Sequence, residues 1–359
     1  MNKATRCDWV LVAPGVYPGS VVIRTPDLHL RGLDRNRVVI DGRHRKRVNG
    51  IAVRTGDVWV ENLTVRNFDR TTPNAEHGGN EVWWYEAHGW HGNYLTVYDT
   101  GLLGGYGLFA ERAEGGEWDH VYATGFDDSG LYIGACRDCE ATVSHALAER
   151  NPVGYAGTNS GGHLVLEDSL FRNNAVGLSL NSSESDPPPP QLGTCAANTN
   201  RSATPTITST ALSRCTLIRG NRIVANNNLS VPANTSSERP GWGIGIVLLG
   251  AYGDLVTKNV LADNRTVGVL GLEFPGGAGR GGRRFTSNSP ATASSGTPSP
   301  DPESASRSRA ASSAPSGRRT TASRRTATRA RCPPTCGRSR APRQGHRIHS
   351  RPRASGSSL

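Results

Sequence analysis

The chain has 359 residues, with 43 glycines, a single methionine and 35% apolar residues, which suffices for one large domain and excludes a bundle of amphipathic helices. Its formal charge of +11 is divided unevenly, because residues 1–275 carry a net charge of −4 and residues 276–359 a net charge of +15. The basicity therefore belongs to the tail, and the lack of any run of 18 apolar residues excludes a membrane-spanning helix.

The first extended element is the segment VLVAPGVYPGSVVIRTPDLHLRGLDRNRVVIDG at 10–42. It contains a PG-x-Y turn at 14–17, an LRG turn at 30–32 and a VIDG turn at 39–42. Short alternating apolar runs lie between these turns, which predicts several brief β-strands in quick succession.

A glycine followed by an apolar residue then recurs along the chain. The intervals are 23 to 25 residues, apart from one gap of 66, and the pairs begin at Gly107, Gly130, Gly154, Gly177, Gly243 and Gly268. A fixed period of this length predicts one supersecondary unit stacked repeatedly on copies of itself.

Polar turn-forming residues follow the same period in a second register. They occur as pairs five residues apart, at Asn62/Asn67, Asp168/Asn173, Asn221/Asn226 and Asn259/Asn264. Asn and Asp tolerate left-handed backbone and cap exposed carbonyls. We interpret them as one column that marks the same corner in successive coils.

The segments between corners are short and rich in β-formers, for example 58–65, 94–99, 163–171 and 254–261. Three short strands per period of about 23 residues predict an all-β parallel β-helix of eight to ten coils over residues 1–275. A β-sandwich lacks such a register, and propeller blades repeat at about twice this length.

The 10–42 segment, with its PG-x-Y, LRG and VIDG turns, resembles the opening coil of exported bacterial right-handed parallel β-helix proteins of the pectate lyase-like superfamily. The resemblance covers about residues 8–275 and implies a right-handed helix and an extracellular or cell-surface location. Members normally carry an export signal and a capping segment before the first coil. This sequence begins without either, so we expect its N-terminus to be truncated relative to theirs.

Four charged residues are the candidate catalytic group. Asp127 and Asp128 stand at a predicted corner, and Glu149 and Arg150 follow one coil later, which predicts a separation of roughly 5 to 10 Å. Paired carboxylates beside a guanidinium can divide acid and base roles on a sugar. The alternative is that Asp127 is a turn residue, because it shares its column with Asn151.

The candidate substrate-binding residues are aromatic. Trp83, Trp84 and Trp90 fall in a dense aromatic segment, and Tyr132 follows on a later strand. Rings that face outward from a β-helix can stack on sugar C–H faces. The alternative is a packing cluster that fills a wide coil.

The seven cysteines predict no metal site. The CxxC motif at 136–139 has no second pair of ligands in the body of the chain to complete a tetrahedral zinc site. Cys195 and Cys215 flank part of a long insertion at about 182–215. A disulfide between them would stabilise the fold by about 3 kcal/mol if the chain is exported.

Residues 276–359 consist mainly of Arg, Ser, Ala, Thr, Pro and Gly, which predicts disorder because little apolar surface can be buried. One interpretation is a reading frame shifted beyond about residue 275, and another is an ordinary solvated tail. A third is an arginine-rich arm that binds nucleic acid or another polyanion, which we expect less because Lys and interleaved aromatic residues are missing.

Two classes of function follow from the resemblance. The first is a carbohydrate-associated enzyme, a polysaccharide lyase, hydrolase or epimerase, and the second is a non-catalytic surface or carbohydrate-binding module. We expect a polysaccharide partner, a monomer and no cofactor, since no specific calcium motif is present.

Overall fold

The computed structural model describes residues 4–46, 48–70, 78–101, 103–136, 139–182, 216–232, 241–251, 254–272 and 328–331. These residues contain 28 β-strands and no helix. None of them therefore lies in a helix that could span a membrane. The all-β class predicted from composition is confirmed.

The strands form three sheets, A, B and C, which the chain visits in that order. Sheet A contains β1 (Asp8–Val12), β4 (Leu28–Gly32), β7 (Val58–Glu61), β10 (Trp90–Asn93), β13 (Glu117–Asp119), β16 (Thr142–Ser144), β19 (Leu164–Glu167), β22 (Thr216–Arg219), β25 (Leu255–Thr257) and β28 (Thr328–Arg331). Sheet B contains β2 (Gly15–Pro18), β5 (Val38–Lys46), β8 (Thr64–Asp69), β11 (Thr96–Tyr98), β14 (Tyr122–Thr124), β17 (Leu147–Glu149), β20 (Leu170–Arg172), β23 (Arg222–Val224) and β26 (Val260–Ala262). Sheet C contains β3 (Val21–Ile23), β6 (Ile51–Val53), β9 (Val82–Tyr85), β12 (Tyr106–Glu111), β15 (Ser129–Gly134), β18 (Val153–Thr158), β21 (Val176–Asn181), β24 (Ile244–Leu249) and β27 (Val267–Leu272).

Each strand from β1 to β24 pairs in parallel with the strand three places further along the chain, so three strands make one coil. The 27 strands make nine coils, within the predicted range of eight to ten. Parallel crossovers of this kind are almost always right-handed. The chain is a right-handed parallel β-helix.

Inward side chains of successive coils stack into apolar columns. On sheet C, Leu108, Leu131, Tyr155, Leu178 and Ile246 occupy equivalent positions, and all are fully buried. Each contributes roughly 2 kcal/mol of apolar burial. This burial needs a coil above and below, so the rod is stable only as a stack.

The polar residues of the five-residue register lie at two corners, which corrects the prediction of one. Asn221 precedes β23 and Asn226 follows it, because the sheet B strand between them is only three residues long. The Nδ2 group of Asn221 donates to Asn259 Oδ1 at 3.0 Å, and that of Asn226 donates to Asn264 Oδ1 at 3.1 Å. Each corner therefore carries its own ladder of stacked amides.

Four residues of the tail form β28, which pairs antiparallel with β1 at the end of sheet A. An unpaired edge strand exposes a row of N–H and C=O groups, and β28 covers this edge. The rest of the tail lies outside the described residues, as does most of the 182–215 insertion.

Candidate functional site

The four residues predicted as one catalytic group are not brought together by the structure. Asp127 and Asp128 lie between β14 and β15, where both pair with the buried Arg70. Arg70 Nε is 3.7 Å from Asp127 Oδ1, and Arg70 Nη2 is 3.4 Å from Asp128 Oδ2. Within the described residues, no hydrogen bond or ion pair joins the side chains of Asp127 or Asp128 to those of Glu149 and Arg150.

Glu149 belongs instead to the outer face of sheet B. Its Oε2 accepts a hydrogen bond from Arg172 Nε at 2.9 Å, and its Oε1 accepts one from the Tyr122 hydroxyl at 2.9 Å. Arg150 is exposed and has a left-handed φ of 57° at the following corner. Glu149 and the two aspartates therefore have different polar partners, and the shared catalytic role of the four residues stays a prediction.

Asp127 and Asp128 are strongly perturbed acids. Burial raises the pKa of Asp127 to about 7 and that of Asp128 to about 6, against the lowering effect of the Arg70 guanidinium. The guanidinium also lies 4.9 Å from the centre of the Tyr106 ring. Their side chains are only 7% and 5% exposed, so an intact polymer does not reach them in this conformation.

Three further carboxyl groups adjoin this pair: Asp69, Glu81 and Asp99. Burial and the negative charge of Asp99 raise the pKa of Glu81 well above its usual range. Burial also raises the pKa of Asp99, although its oxygens accept hydrogen bonds from the backbone of Gly101 and Leu103 at 2.9 and 2.8 Å. The turn region beside sheet B thus holds a buried, acid-rich cluster.

The outer face of sheet A carries a ladder of stacked rings. The rings of Trp9, His29, Trp59 and His91 follow one another on β1, β4, β7 and β10, with centroids 4.1 to 4.3 Å apart. Their planes differ by only 4° to 8°. The rings stack on each other through their faces and therefore present their edges outward.

This ladder leads to a group of five residues that we call the histidine–carboxylate patch: His91, Glu117, Asp119, His120 and His145. Asp119 Oδ2 lies 2.7 Å from His120 Nδ1, and Asp119 Oδ1 lies 2.7 Å from His145 Nδ1. Glu117 Oε1 lies 3.0 Å from His91 Nδ1. Two carboxylates thus hold three imidazoles on one face of the rod.

Strand alternation and the repeat explain how the patch is assembled. Glu117 and Asp119 both point outward from β13, while Trp118 between them points into the core and is fully buried. His120 and His145 occupy the same left-handed corner in successive coils, with φ of 54° and 49°. Their rings stack with centroids 4.6 Å apart.

The electrostatics of the patch favour the ionised forms of its two carboxyl groups. Partial burial opposes ionisation of Asp119, but hydrogen bonds from His120, His145 and Ser144 lower its pKa. The hydrogen bond from His91 lowers the pKa of Glu117. The side chains of His120 and His145 are 44% and 54% exposed, so a ligand can reach their free Nε2 atoms.

The predicted aromatic platform does not form. Trp84 and Trp90 point inward and pack against Trp118 with ring centroids 5.8 and 5.2 Å away, and both are fully buried. Trp83 and Tyr132 lie on the outward side of sheet C, but Trp83 is only 2% exposed. Of the two interpretations, packing therefore describes Trp84 and Trp90.

The cysteines differ from the sequence prediction at one described place. Cys136 and Cys139, which follow β15, form a disulfide. The sequence analysis considered this CxxC motif only as a zinc site and missed the pairing. Cys195 and Cys215 lie outside the described residues, so the predicted disulfide between them stays a prediction.

The sequence analysis also missed the histidine–carboxylate patch and the role of Arg70. His120 and His145 are 25 residues apart, which is the repeat length, and each directly follows a sheet A strand. A search for ionisable residues at the repeat spacing would have found them. Arg70 has no comparable signal, because it precedes Asp128 by 58 residues and belongs to neither repeat register.

No family model and no curated protein matches the chain. Among solved structures, an alginate lyase from Paenibacillus sp. str. FPU-7 is similar at 12% identity, covering 76% of this chain and 93% of that chain with a TM-score of 0.42. A pectin methylesterase in complex with a hexasaccharide has 12% identity, coverage of 72% and 85%, and a TM-score of 0.37. The mannuronan C-5 epimerase A-module of Azotobacter vinelandii has 12% identity, coverage of 74% and 88%, and a TM-score of 0.25. Similarities this low carry no argument about activity.

Proposed function

We propose that this protein is a carbohydrate-associated β-helix protein that acts on a hydroxyl-rich polysaccharide along the outer face of sheet A. The observation that carries the proposal is that the Asp119 carboxylate makes two hydrogen bonds. One joins it to His120 Nδ1 and the other to His145 Nδ1, each at 2.7 Å. An ionised carboxylate that orients two exposed imidazoles is suited to acid–base chemistry near neutral pH.

The shape of the face suits an extended polymer. Parallel strands about 4.8 Å apart make a face roughly 40 Å long, and outward side chains repeat at that spacing along it. The patch lies on β10, β13 and the corner after β16, near the middle of the sheet. Several sugar units can therefore contact the face on each side of the patch.

Each imidazole has a defined orientation for proton transfer. Because the ionised Asp119 only accepts hydrogen bonds, His120 and His145 donate their Nδ1–H groups to it, and the Nε2 atoms remain to face a ligand. A neutral Nε2 can take a proton from a hydroxyl or sugar carbon, and a protonated one can deliver it to a glycosidic oxygen. Asp119 stabilises the imidazolium in both steps. On a neutral polymer this chemistry serves hydrolysis, whereas elimination or epimerisation would need a uronate, whose carboxyl group acidifies the neighbouring C–H.

The charge of the face favours a neutral polymer over a polyuronate. The pKa values of Glu117 and Asp119 are lowered, so both are anionic at neutral pH, and residues 1–275 carry a net charge of −4. Like charges repel a polyanion. We therefore place neutral polysaccharides ahead of uronates as substrates.

The second candidate function is binding without catalysis. The half-buried ladder of Trp9, His29, Trp59 and His91 offers ring edges to a polymer on the same face. A binding module would use this surface and leave the bound chain intact.

The test is turnover of a panel of neutral and uronate polysaccharides by the full chain and by two variants. We expect His120→Ala/His145→Ala to lose at least 100-fold in kcat/KM, because general acid–base catalysis contributes about that much. Glu149→Gln is the matched control, since it breaks an ion pair on the outer face of sheet B and should leave turnover unchanged. Unchanged turnover in the double variant would overturn the catalytic assignment. Polymer binding without turnover by the parent would favour the binding module.

A further inference from the structure

We propose that His44, Asp69 and Asp99 form a binding site for a divalent transition-metal cation, with zinc as the reference ion. The three residues come from consecutive coils beside sheet B, so this site is separate from the histidine–carboxylate patch. One nitrogen and two carboxylate oxygens lie within 4.8 Å of one another. This inference is independent of the proposed function.

The distances suit a small cation placed between the three ligands. His44 Nδ1 is 3.1 Å from Asp69 Oδ1 and 3.7 Å from Asp99 Oδ1. Ligand atoms bound at about 2.0 to 2.1 Å around zinc are separated by roughly 3.0 to 3.4 Å. A cation therefore needs only small side-chain adjustments.

A β-bulge directs His44 toward the two carboxylates. The register between β5 and β8 shifts between Asp41 and Arg45, and both Arg43 and His44 have a left-handed φ, of 53° and 55°. Bulges of this kind re-aim a side chain that regular pairing would place elsewhere. Here the re-aimed imidazole comes to lie beside Asp69, with which its Nδ1 makes the 3.1 Å contact.

The hydrogen bonds around Thr100 determine which nitrogen of His44 carries a proton. Asn67 Oδ1 accepts from the Thr100 backbone N at 3.1 Å, so this atom is an oxygen, and it also accepts from the Thr100 hydroxyl at 2.9 Å. With its own hydrogen used in that bond, the hydroxyl oxygen must accept from His44 Nε2, which is 3.2 Å away. A neutral His44 therefore has its proton on Nε2 and a bare lone pair on Nδ1.

This lone pair faces two carboxylate oxygens. The nitrogen and the two oxygens are all hydrogen-bond acceptors, so they repel one another unless a proton or a metal cation lies between them. An oxygen or nitrogen partner on the other ring nitrogen is also the usual arrangement for a histidine that binds a metal. Asp99 Oδ1 accepts one hydrogen bond, from Gly101 N, and so keeps a lone pair for a cation. The carboxylate of Asp69 is oriented by the same imidazole.

A fourth carboxyl group, that of Glu81, is buried and interacts electrostatically with two of the proposed ligands. Glu81 is fully buried, and its Oε2 has no hydrogen-bond partner among the described residues. Its charge interacts with those of Asp99 and Asp69, so the orphan carboxyl lies in their electrostatic environment. Within the described part of the chain, none of these three acids forms an ion pair with Lys or Arg. A bound cation would favour the ionised forms of these carboxyl groups, which burial alone disfavours.

The site has a route to solvent and a ligand set that selects the metal. The His44 side chain is 41% exposed, which leaves room for water to complete the coordination. A mixed set of one imidazole and two carboxylates suits zinc, whereas calcium takes six to eight oxygen ligands. We therefore expect weak or no binding of Ca²⁺ at this place.

The test is calorimetric titration of the chelator-treated full chain with Zn²⁺, followed by Co²⁺ absorption spectroscopy. We expect one equivalent of Zn²⁺ to bind to the parent protein. We expect His44→Ala to weaken the affinity for Zn²⁺ at least tenfold. Thr100→Val should weaken it about 10- to 100-fold by freeing the imidazole. His88→Ala is the control, because His88 lies 4.0 Å from Asp57 in an exposed pair and should bind as the parent does.

Two results would overturn the site. One is equal Zn²⁺ affinity in the parent and in His44→Ala, since binding elsewhere in the chain persists in both proteins. The other is a ¹⁵N spectrum in which His44 stays doubly protonated when Zn²⁺ is added, which would assign the charge between the carboxylates to a proton. If the first result is accompanied by loss of all binding in His120→Ala/His145→Ala, the metal is at the patch instead.

Discussion

Asp119 and His145 lie one coil apart, and Asp119 Oδ1 accepts the hydrogen bond of His145 Nδ1 at 2.7 Å. The contact exists because parallel pairing of β13 with β16 places Asp119 beside Ser144, directly before His145. A parallel β-helix can in this way join residues that a repeat length separates. Its outward columns are therefore natural places for a site.

The first prediction concerns the pH dependence of stability. Because the folded-state pKa of Asp127 is raised to about 7, the native state holds a proton that the unfolded state releases above about pH 4. Stability should therefore fall as pH rises from about 4 to about 7 and then level off. In Asp127→Asn this decline should shrink, by an amount on the order of 2 to 4 kcal/mol at pH 8. Urea unfolding at several pH values measures it, with exposed Asp168→Asn as control. A decline in Asp127→Asn as large as that of the parent would contradict the prediction.

The second prediction concerns Arg70. Arg70→Met leaves Asp127 and Asp128 buried without the guanidinium, which should cost about 3 to 5 kcal/mol at pH 8. The loss should be smaller at pH 5, where both acids are protonated given pKa values of about 7 and 6. Thermal unfolding at the two pH values checks this difference. An equal loss at both would indicate that the side chain acts only through packing.

The third prediction separates inward from outward tryptophans. Trp84→Ala should destabilise the rod by about 3 to 5 kcal/mol, because the side chain is fully buried among other rings and its removal leaves a cavity. Trp59→Ala should cost clearly less, because Trp59 is only half-buried on the outer face of sheet A. Denaturant unfolding of both variants gives the comparison. Equal losses would show that the outer ladder matters as much as the core.

The fourth prediction distinguishes the two kinds of corner asparagine. Asn226 Oδ1 accepts from Asn174 N and Nδ2 at 3.2 and 3.0 Å, and Asn226 Nδ2 donates to Phe171 O at 3.1 Å. Asn226→Ala leaves these buried groups unpaired and should cost about 2 to 4 kcal/mol. Asn173→Gly should change stability by less than about 0.5 kcal/mol, because exposed Asn173 serves the corner through its φ of 55°. Similar losses in both variants would argue against separate ladder and turn roles.

The amino-acid sequence by itself determined the fold. Corner residues with left-handed backbone and apolar residues such as Leu131 and Leu178 recur with the coil, and these local requirements are the same in every coil. Because every coil needs the same corner and core residues, these residue types recur at the coil spacing, and the recurrence is visible in a single sequence. For this reason the number of coils and the inward column were predictable.

The tertiary structure alone decided which charged and aromatic residues meet. Arg70 reaches Asp128 across 58 residues, and turns of unequal length between coils make such a partner invisible to a fixed period. The β-bulge before Arg45 likewise re-aims His44 without any change in the pattern of residues. Trp84 faces the core and its neighbour Trp83 the outside because pairing with β6 and β12 sets their direction. Local sequence encodes the coil, whereas contacts between coils depend on the exact register that only the folded chain possesses.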